Sequence, residues 1–162
     1  MWYNALLMGV VNVSYMVDIR NLSEMQEFAE KVANLVFPGF VLCLEGDLGA
    51  GKTTFTQFFA KALGVKSSVN SPTFTIMKTY DEGSYHLTHI DAYRLEGVGL
   101  DLELEEQMDN DGVTVIEWYQ YIVESLPEFF LSIHIQFVDE HRRRLEIKGS
   151  GKYESIAKAI GY

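Results

Sequence analysis

Three features are scarce in this sequence of 162 residues, and each scarcity argues against a class of protein. The single cysteine, Cys43, cannot form an internal disulfide, and we expect a small buried side chain in a cytoplasmic protein. No apolar run approaches the ~20 residues of a membrane-spanning helix. Lysine and arginine total 13 against 23 aspartate and glutamate residues, so the net charge is −10. This acidity argues against direct binding of nucleic acid, although not against a role in nucleic-acid chemistry through partners.

The length favours one domain, and 48% hydrophobic residues are enough for a sizeable core. The first 17 residues are apolar and uncharged. They lack the positively charged start of a secretory signal, so we interpret residues 1–16 as an N-terminal extension. Residues 17–162 contain no internal repeat and no linker, and we expect them to form a single domain.

The most informative stretch is Gly46–Thr53, which fits the phosphate-binding pattern G-x-x-x-x-G-K-[ST]. It follows an apolar run that predicts a buried strand, Phe40–Glu45, and precedes a helical segment that Gly64 ends. Glycine lets the backbone curl around phosphate groups, and the following helix directs its free N–H groups at them. The pattern predicts that Lys52 lies near the β- and γ-phosphates and that Thr53 gives its hydroxyl to Mg²⁺.

A hydrolytic site of this kind also needs a carboxylate at the end of a neighbouring buried strand. Asp91 follows the predicted strand 85–90, and Glu117 follows the predicted strand 113–116. An open α/β sheet binds its ligand outside the carboxyl ends of its strands, so both acids are candidates, with a surface acid as the alternative for each. His89 is expected on the same sheet face as Asp91, where it orients Asp91, lies behind the metal ligands, or is a hydrogen-bonded structural histidine.

Three other features each have two interpretations. Ser71 and Thr73 flank Pro72 at a place where NTPases often sense the γ-phosphate, or they form a simple turn before a strand. The arginine run 142–144 forms a solvated hairpin arm, or it contacts a partner or a nucleotide. Arg94 reaches a phosphate, or it pairs with one of the nearby acids.

The pattern as a whole predicts an α/β fold: one domain of the P-loop NTPase type, whose mixed, mostly parallel central sheet is flanked by helices. The first helix is predicted from Asn21 or Ser23 to Val36, and the turn 81–84 joins two strands as an antiparallel hairpin. Further strands are expected at 15–19, 74–80, 130–138 and, at a sheet edge, 143–147, and further helices at 100–108, 119–126 and 152–160.

Four stretches together resemble the TsaE family, also called the YjeE/YdiB family, the small bacterial ATPases of tRNA threonylcarbamoyladenosine synthesis. They read GDLGAGKTT from Gly46, SPTFT from Ser71, HIDAYR from His89 and VIEW from Val115. The first stretch alone is common to many NTPases. The order and spacing of all four match the family over residues 17–160.

The resemblance implies a cytoplasmic protein that binds ATP with Mg²⁺, has weak ATPase activity alone and works with the TsaB–TsaD pair. That complex moves a threonylcarbamoyl group onto N6 of adenosine 37 in tRNAs that read ANN codons. The ATPase resets or regulates the complex, and it meets tRNA only indirectly, through its partners.

The resemblance also assigns roles by position. Thr53 and Glu117 would hold Mg²⁺, with Asp91 beside them as a ligand, a water-orienting group or a base. Trp118 would lie next to the nucleotide, and Leu22 would approach the adenine. The expected catalytic residues are Asp91, Glu117 and Lys52, the expected metal ligands are Thr53, Glu117 and Asp91, and the expected nucleotide-binding residues are Leu22, Gly49, Ala50, Gly51, Lys52, Thr53, Thr54 and Trp118.

Two other functions fit a short P-loop chain. A small-molecule kinase usually needs a mobile lid with arginines, and this chain has no long arginine-rich insert. A nucleotide-gated binding module differs from the ATPase only in its turnover rate. The sequence offers no clear arginine finger or catalytic glutamine, which fits slow intrinsic turnover at a site that a partner completes.

Overall fold

The computed structural model describes residues 13–108 and 111–161. Within these residues the strands are β1 (Ser14–Ile19), β2 (Phe40–Glu45), β3 (Met77–Tyr80), β4 (Leu87–Asp91), β5 (Val113–Glu117), β6 (Leu131–Phe137) and β7 (Arg143–Gly149). The α-helices are α1 (Leu22–Ala33), α2 (Lys52–Ala62), α3 (Leu102–Met108) and α4 (Glu154–Ile160). Short 3₁₀ turns occur at Tyr93–Leu95, Tyr119–Tyr121, Val123–Ser125 and Gly151–Tyr153.

One sheet contains all of these strands, in the order β1-β7-β6-β2-β5-β4-β3. Its centre is parallel, because β2 pairs in parallel with β6 and β5, and β5 does so with β4. Its margins are antiparallel, with β3 on β4 at one side and β7 between β6 and β1 at the other. The predicted α/β fold with a mixed sheet and an antiparallel hairpin portion is therefore confirmed.

β2 has apolar side chains on both faces because it lies between two hydrophobic cores. Alternate residues starting at Phe40 enter the larger core, which also contains residues of α1, α2 and α4. Val41 and the free thiol of Cys43 enter the smaller core, together with Ile90 and Ile116 of the neighbouring strands. Both faces of β2 are therefore buried from Phe40 to Leu44, and only its last residue, Glu45, is partly exposed.

The C-terminal segment closes the larger core over the start of β2. The hydroxyl of Tyr153 accepts a hydrogen bond of 2.9 Å from the N–H of Val41, and both residues are buried. The Tyr153 ring also packs 5.1 Å from the ring of Phe40 and 5.3 Å from that of Phe37. This contact stabilises the end of β2 that lies opposite the loop of residues 46–51.

The first helix, α1, begins as the sequence predicts and ends earlier. The side chain of Asn21 accepts from the N–H of Glu24 at 3.0 Å, which caps the helix. The predicted end was Val36, but the helix ends at Ala33. The reason is tertiary: Val36 and Phe37 leave the helical path and pack against the larger core.

Residues 143–147 form a strand as predicted, but the prediction that this strand lies at a sheet edge is wrong. β7 lies inside the sheet because β1, the predicted strand at 15–19, pairs along its outer side. Residues 14–16, which we assigned to an N-terminal extension, take part in this pairing. Val13 precedes β1, and residues 1–12 of that extension lie outside the described residues.

Two further elements differ from the predicted ones. The strand predicted at 74–80 begins only at Met77, because Ile76 has a φ of 67° and cannot continue extended backbone. The helix predicted at 119–126 is two separate 3₁₀ turns. No helix in the described ranges has both the length and the apolar character that a membrane span requires.

Candidate functional site

The loop of residues 46–51 connects β2 to α2, and its conformation depends on glycine. Gly51 precedes α2 with a φ of 113°, a left-handed conformation that favours glycine. At Gly46 a Cβ atom would lie 2.6 Å from the carbonyl oxygen of Ile135, so the loop could not pass β6 with a side chain there. The first N–H groups of α2 point out of its N-terminus, towards the loop. The residue before the helix, Gly51, has no side chain to cap them.

Lys52 places its ammonium group inside this loop. It is only 7% exposed, and Nζ donates to the carbonyl oxygens of Gly46 and, at 3.2 Å, of Asp47. Burial lowers the pKa of Lys52, while the negative charges of Glu117, Asp91 and Asp47 oppose that effect. A cation is therefore held where the sequence pattern expects phosphate oxygens.

The two candidate carboxylates lie side by side. Asp91 and Glu117 are the last residues of β4 and β5, and they are paired in the register of the sheet. Both are buried, at 6% and 2% exposure, and the N–H of Ala92 donates to the carbonyl of Glu117 at 3.0 Å. Buried carboxylates are costly unless a cation or hydrogen bonds compensate, and the nearby charge of Lys52 gives part of that compensation.

Asp91 is held by the segment that follows the loop 65–70. Its Oδ2 accepts from the hydroxyls of Ser71 at 3.1 Å and Thr73 at 3.4 Å, while Oδ1 accepts from the N–H of Tyr93 at 3.0 Å. The N–H of Asp91 donates to the carbonyl of Ile76 at 2.8 Å. The structure thus brings Asp91 together with the Ser71–Thr73 segment, for which the sequence left two interpretations open, a segment that senses the γ-phosphate or a simple turn.

His89 contacts a different carboxylate from the one that sequence reasoning suggested. Its Nε2 lies 2.9 Å from Oε2 of Glu117, and the ring is fully buried. Of the three interpretations of His89, orientation of Asp91 has no hydrogen bond among the described residues to support it, whereas the contact with Glu117 fits a histidine behind the candidate metal ligands or a structural histidine. His86 lies apart from the site and pairs with Asp81 at the surface.

Trp118 covers the loop from the β5 side. Its ring lies 4.7 Å from Nζ of Lys52, stacks on Tyr121 with centroids 5.8 Å apart, and meets the edge of Tyr93 at 5.1 Å. Its φ of 57° is unusual for a residue other than glycine, and such strain is typical of functional sites.

The remaining predicted residues have different surroundings. Thr53 and Thr54 are half-buried in the first turn of α2, beside the loop, and Ala50 is a buried residue of the loop itself. Leu22 begins α1 next to β1, three strands away from β2 in the sheet order, and is 67% exposed. Arg94 packs over the ring of Phe74 at 4.9 Å.

Sequence reasoning did not include Arg143 among the site residues. Its Nε donates to the carbonyl of Ala50 at 2.7 Å, and its guanidinium lies 4.7 Å from the ring of Phe137. Its neighbours in the run, Arg142 and Arg144, instead pair with Asp139 and Asp18. The missed signal is the alternation of β7: Arg143 shares its sheet face with the buried Leu145 and Ile147.

The donors at the site fit Mg²⁺ better than a softer metal. Thr53, Asp91 and Glu117 offer only oxygen atoms, which Mg²⁺ prefers. Residues 13–108 and 111–161 contain no cluster of three or more histidine, cysteine or acidic side chains able to hold a metal alone. Mg²⁺ commonly takes one or two carboxylates and completes its shell with waters and substrate phosphates.

Comparison with known proteins gives consistent results. The family described as "Threonylcarbamoyl adenosine biosynthesis protein TsaE" matches residues 19–145. The tRNA threonylcarbamoyladenosine biosynthesis protein TsaE of Bacillus subtilis (strain 168) is 43% identical over 141 residues, which are 86% of this chain and 89% of that protein. The TsaE protein of Aquifex aeolicus (strain VF5) is 36% identical over 133 residues, which are 81% of this chain and 93% of that protein.

A solved structure is also similar. The crystal structure of Bacillus subtilis YdiB superposes with a TM-score of 0.79 at 34% sequence identity, and the superposition covers 94% of this chain and 96% of that one. The likeness therefore extends over almost the whole length of both chains.

Proposed function

Since the chain belongs to the TsaE family, we propose that it is a Mg²⁺-dependent ATPase that acts as an accessory subunit in tRNA threonylcarbamoyladenosine synthesis. The names of the relatives place those proteins in that synthesis. One observation carries the enzymatic part of the proposal. Asp91 and Glu117 lie buried and in register beside a phosphate-binding loop that holds a buried lysine.

ATP binding is proposed from the chemistry of the loop. The N–H groups at the start of α2 and the Lys52 ammonium together favour a chain of phosphates. Arg143, bonded to Ala50, adds a second fixed cation at the same loop. Trp118 offers an aromatic face beside Lys52.

Hydrolysis requires that a water molecule be oriented and that developing negative charge be compensated. Thr53 and Glu117 are the groups that would hold Mg²⁺, with Asp91 beside them, and a bound Mg²⁺ supplies positive charge to the phosphate oxygens. Asp91 has one oxygen on Ser71 and Thr73 and the other on the N–H of Tyr93, so its carboxylate is fixed in place. We assign to Asp91 the orientation of the attacking water, or the acceptance of its proton.

The proposed partners are the TsaB–TsaD pair in the cytoplasm, and tRNA is contacted through them. The acidic composition, with a net charge of −10, supports an indirect role, because direct binding to tRNA phosphates needs a basic surface. On this view, ATP turnover changes the state of the partner complex and does not itself transfer the threonylcarbamoyl group.

Reconstituted modification of an ANN-decoding tRNA by the TsaB–TsaD pair tests this proposal. We expect sustained modification only with this chain and ATP, and ATPase activity that rises when the pair is added. Lys52→Ala should lower both the tRNA modification and the ATPase activity by at least about 100-fold, because the loop loses its buried cation. Lys61→Ala, an exposed lysine at the other end of α2, serves as the matched control.

Two results would contradict the proposal. Normal ATP turnover by a folded Lys52→Ala variant would remove the loop from the active site. Phosphorylation of a small metabolite without any need for the TsaB–TsaD pair would instead show a small-molecule kinase.

A further inference from the structure

His89 and Glu117 form a buried, hydrogen-bonded pair. The histidine is fully buried in β4, the glutamate is 2% exposed at the end of β5, and Nε2 and Oε2 are 2.9 Å apart. Among the residues that the structure describes, this is the one hydrogen bond found for the Glu117 carboxylate group. This hydrogen bond is therefore the directional contact that bears on the orientation of the Glu117 carboxylate, while Lys52 acts on it through its charge.

The strand register explains how the two side chains meet. β4 and β5 are parallel, with His89 opposite Val115 and Asp91 opposite Glu117. Side chains two residues apart on a strand share a face, so His89 lies one step further from the loop than Asp91. The His89 ring contacts the Glu117 carboxylate diagonally, from one strand to the next. The loop and Lys52 follow the end of β2, at the edge of the sheet where Asp91 and Glu117 end their strands.

The two ring nitrogens of His89 are used unequally. A carboxylate only accepts hydrogen bonds, so Nε2 is the nitrogen that donates. Nδ1 is buried and has no hydrogen-bond partner in the described part of the chain. Within the described residues, the contact with Glu117 is therefore the one hydrogen bond that fixes the His89 ring.

We propose that His89 is a positioning residue: its Nε2–H holds Oε2 of Glu117 and so keeps the carboxylate turned for Mg²⁺ at the strand ends. This inference rests on the proposed Mg²⁺·ATP site and adds to it the group that prepares Glu117. It assigns His89 no contact with the nucleotide. Partners of this kind are typically worth about 10- to 100-fold in metal affinity or activity.

Metal binding measured apart from turnover tests this role. Mn²⁺ is titrated into the protein with saturating ADP, and free Mn²⁺ is followed by electron paramagnetic resonance. We expect His89→Leu to weaken Mn²⁺ binding by about 10- to 100-fold, while its affinity for ADP in metal-free buffer stays within about twofold of wild type. His89→Gln, whose amide N–H can take the place of Nε2–H, should recover most of the Mn²⁺ affinity.

Two controls keep the test decisive. His86→Leu removes the neighbouring histidine, which pairs with Asp81 at the surface, and should leave Mn²⁺ binding unchanged. His89→Asn keeps an amide that is too short to reach Glu117, so it should match His89→Leu, and it replaces that variant if leucine prevents folding.

The possible outcomes separate the two proposals. Wild-type Mn²⁺ affinity in folded His89→Leu or His89→Asn would overturn the positioning role and leave the Mg²⁺·ATP site intact. Equal losses in the glutamine and asparagine variants would also overturn it, because the N–H donor would then be irrelevant. Absence of Mn²⁺–ADP binding by the wild type would overturn both the positioning role and the proposed function.

Discussion

Arg143 and Ala50 are joined by a hydrogen bond of 2.7 Å, from the guanidinium Nε to the carbonyl oxygen. The two residues are 93 positions apart, and their contact ties the start of β7 to the loop of residues 46–51. The same guanidinium donates to the carbonyl of Asp139 through Nη1 at 2.7 Å. The hairpin between β6 and β7 therefore acts as a support for the loop and supplies it with positive charge.

Replacement of Arg143 should weaken nucleotide binding. Arg143→Ala removes a charge-assisted hydrogen bond and a cation, so we expect about a tenfold loss of ATP affinity, equivalent to about 1.4 kcal/mol. Calorimetric titration with ATP measures the change. Arg142→Ala, whose side chain pairs with Asp139 at the surface, is the matched control. Equal affinities in the two variants would show that the loop does not depend on Arg143.

Removal of one negative charge at Glu117 should separate hydrolysis from binding. Glu117→Gln keeps an oxygen that can accept from His89, and we expect ATP hydrolysis to fall by at least about 100-fold. The affinity for ATP in metal-free buffer should change by less than about threefold, because the loop and Lys52 remain. Addition of EDTA to the wild type should produce a similar loss of hydrolysis. Glu146→Gln, on β7, is the control and should leave the rate of hydrolysis unchanged. If Glu117→Gln also leaves this rate unchanged, Glu117 is not part of the site.

The two glycines of the loop should differ in their tolerance of alanine. Gly46→Ala places a Cβ atom 2.6 Å from the backbone carbonyl of Ile135, so we expect the free energy of unfolding to fall by about 3 kcal/mol. At Gly49 the same atom meets no described heavy atom within 4 Å. Only backbone strain at a φ of 82° then remains, which costs about 1 kcal/mol. Urea unfolding measures the free energy of unfolding of the two variants. Equal decreases in the two variants would contradict the expected clash with Ile135.

The buried hydroxyl of Tyr153 should matter for stability and not for the site. Tyr153→Phe leaves the N–H of Val41 buried without its partner, so the free energy of unfolding should fall by about 1–3 kcal/mol. ATP affinity should stay at the wild-type value, since Val41 lies at the end of β2 opposite the loop. The measurements are urea unfolding and ATP titration. Unchanged stability would mean that water replaces the hydroxyl without cost.

Local patterns were enough to predict the parts of the site that lie near each other in the sequence. The apolar run of β2 and the glycine pattern after it predicted a strand, a loop and a helix in the places where they occur. Asp91 and Glu117 needed only one further assumption, that their strands are parallel neighbours. The structure bears out that assumption.

Contacts between distant residues could not be predicted in this way. The bond from His89 to Glu117 depends on the register between two strands, and the sequence does not specify that register. The left-handed backbone of Ile76 occurs where the pattern predicts continuous strand, and the bond between its carbonyl and the N–H of Asp91 exists only in the folded chain. The interior position of β7 depends on pairing with β1, which the sequence predicted as a strand without indicating which strand it pairs with.

The burial of Cys43 has a practical consequence for chemical labelling. This residue is the one cysteine of the sequence, it is fully buried in β2, and burial raises the pKa of its thiol well above the usual value. Thiolate is the reactive form, so a maleimide dye added to the folded protein should leave Cys43 unmodified. Leu48, in the loop of residues 46–51, is 94% exposed. Leu48→Cys therefore gives a single fluorophore attachment point at the loop, with no need to remove the native thiol.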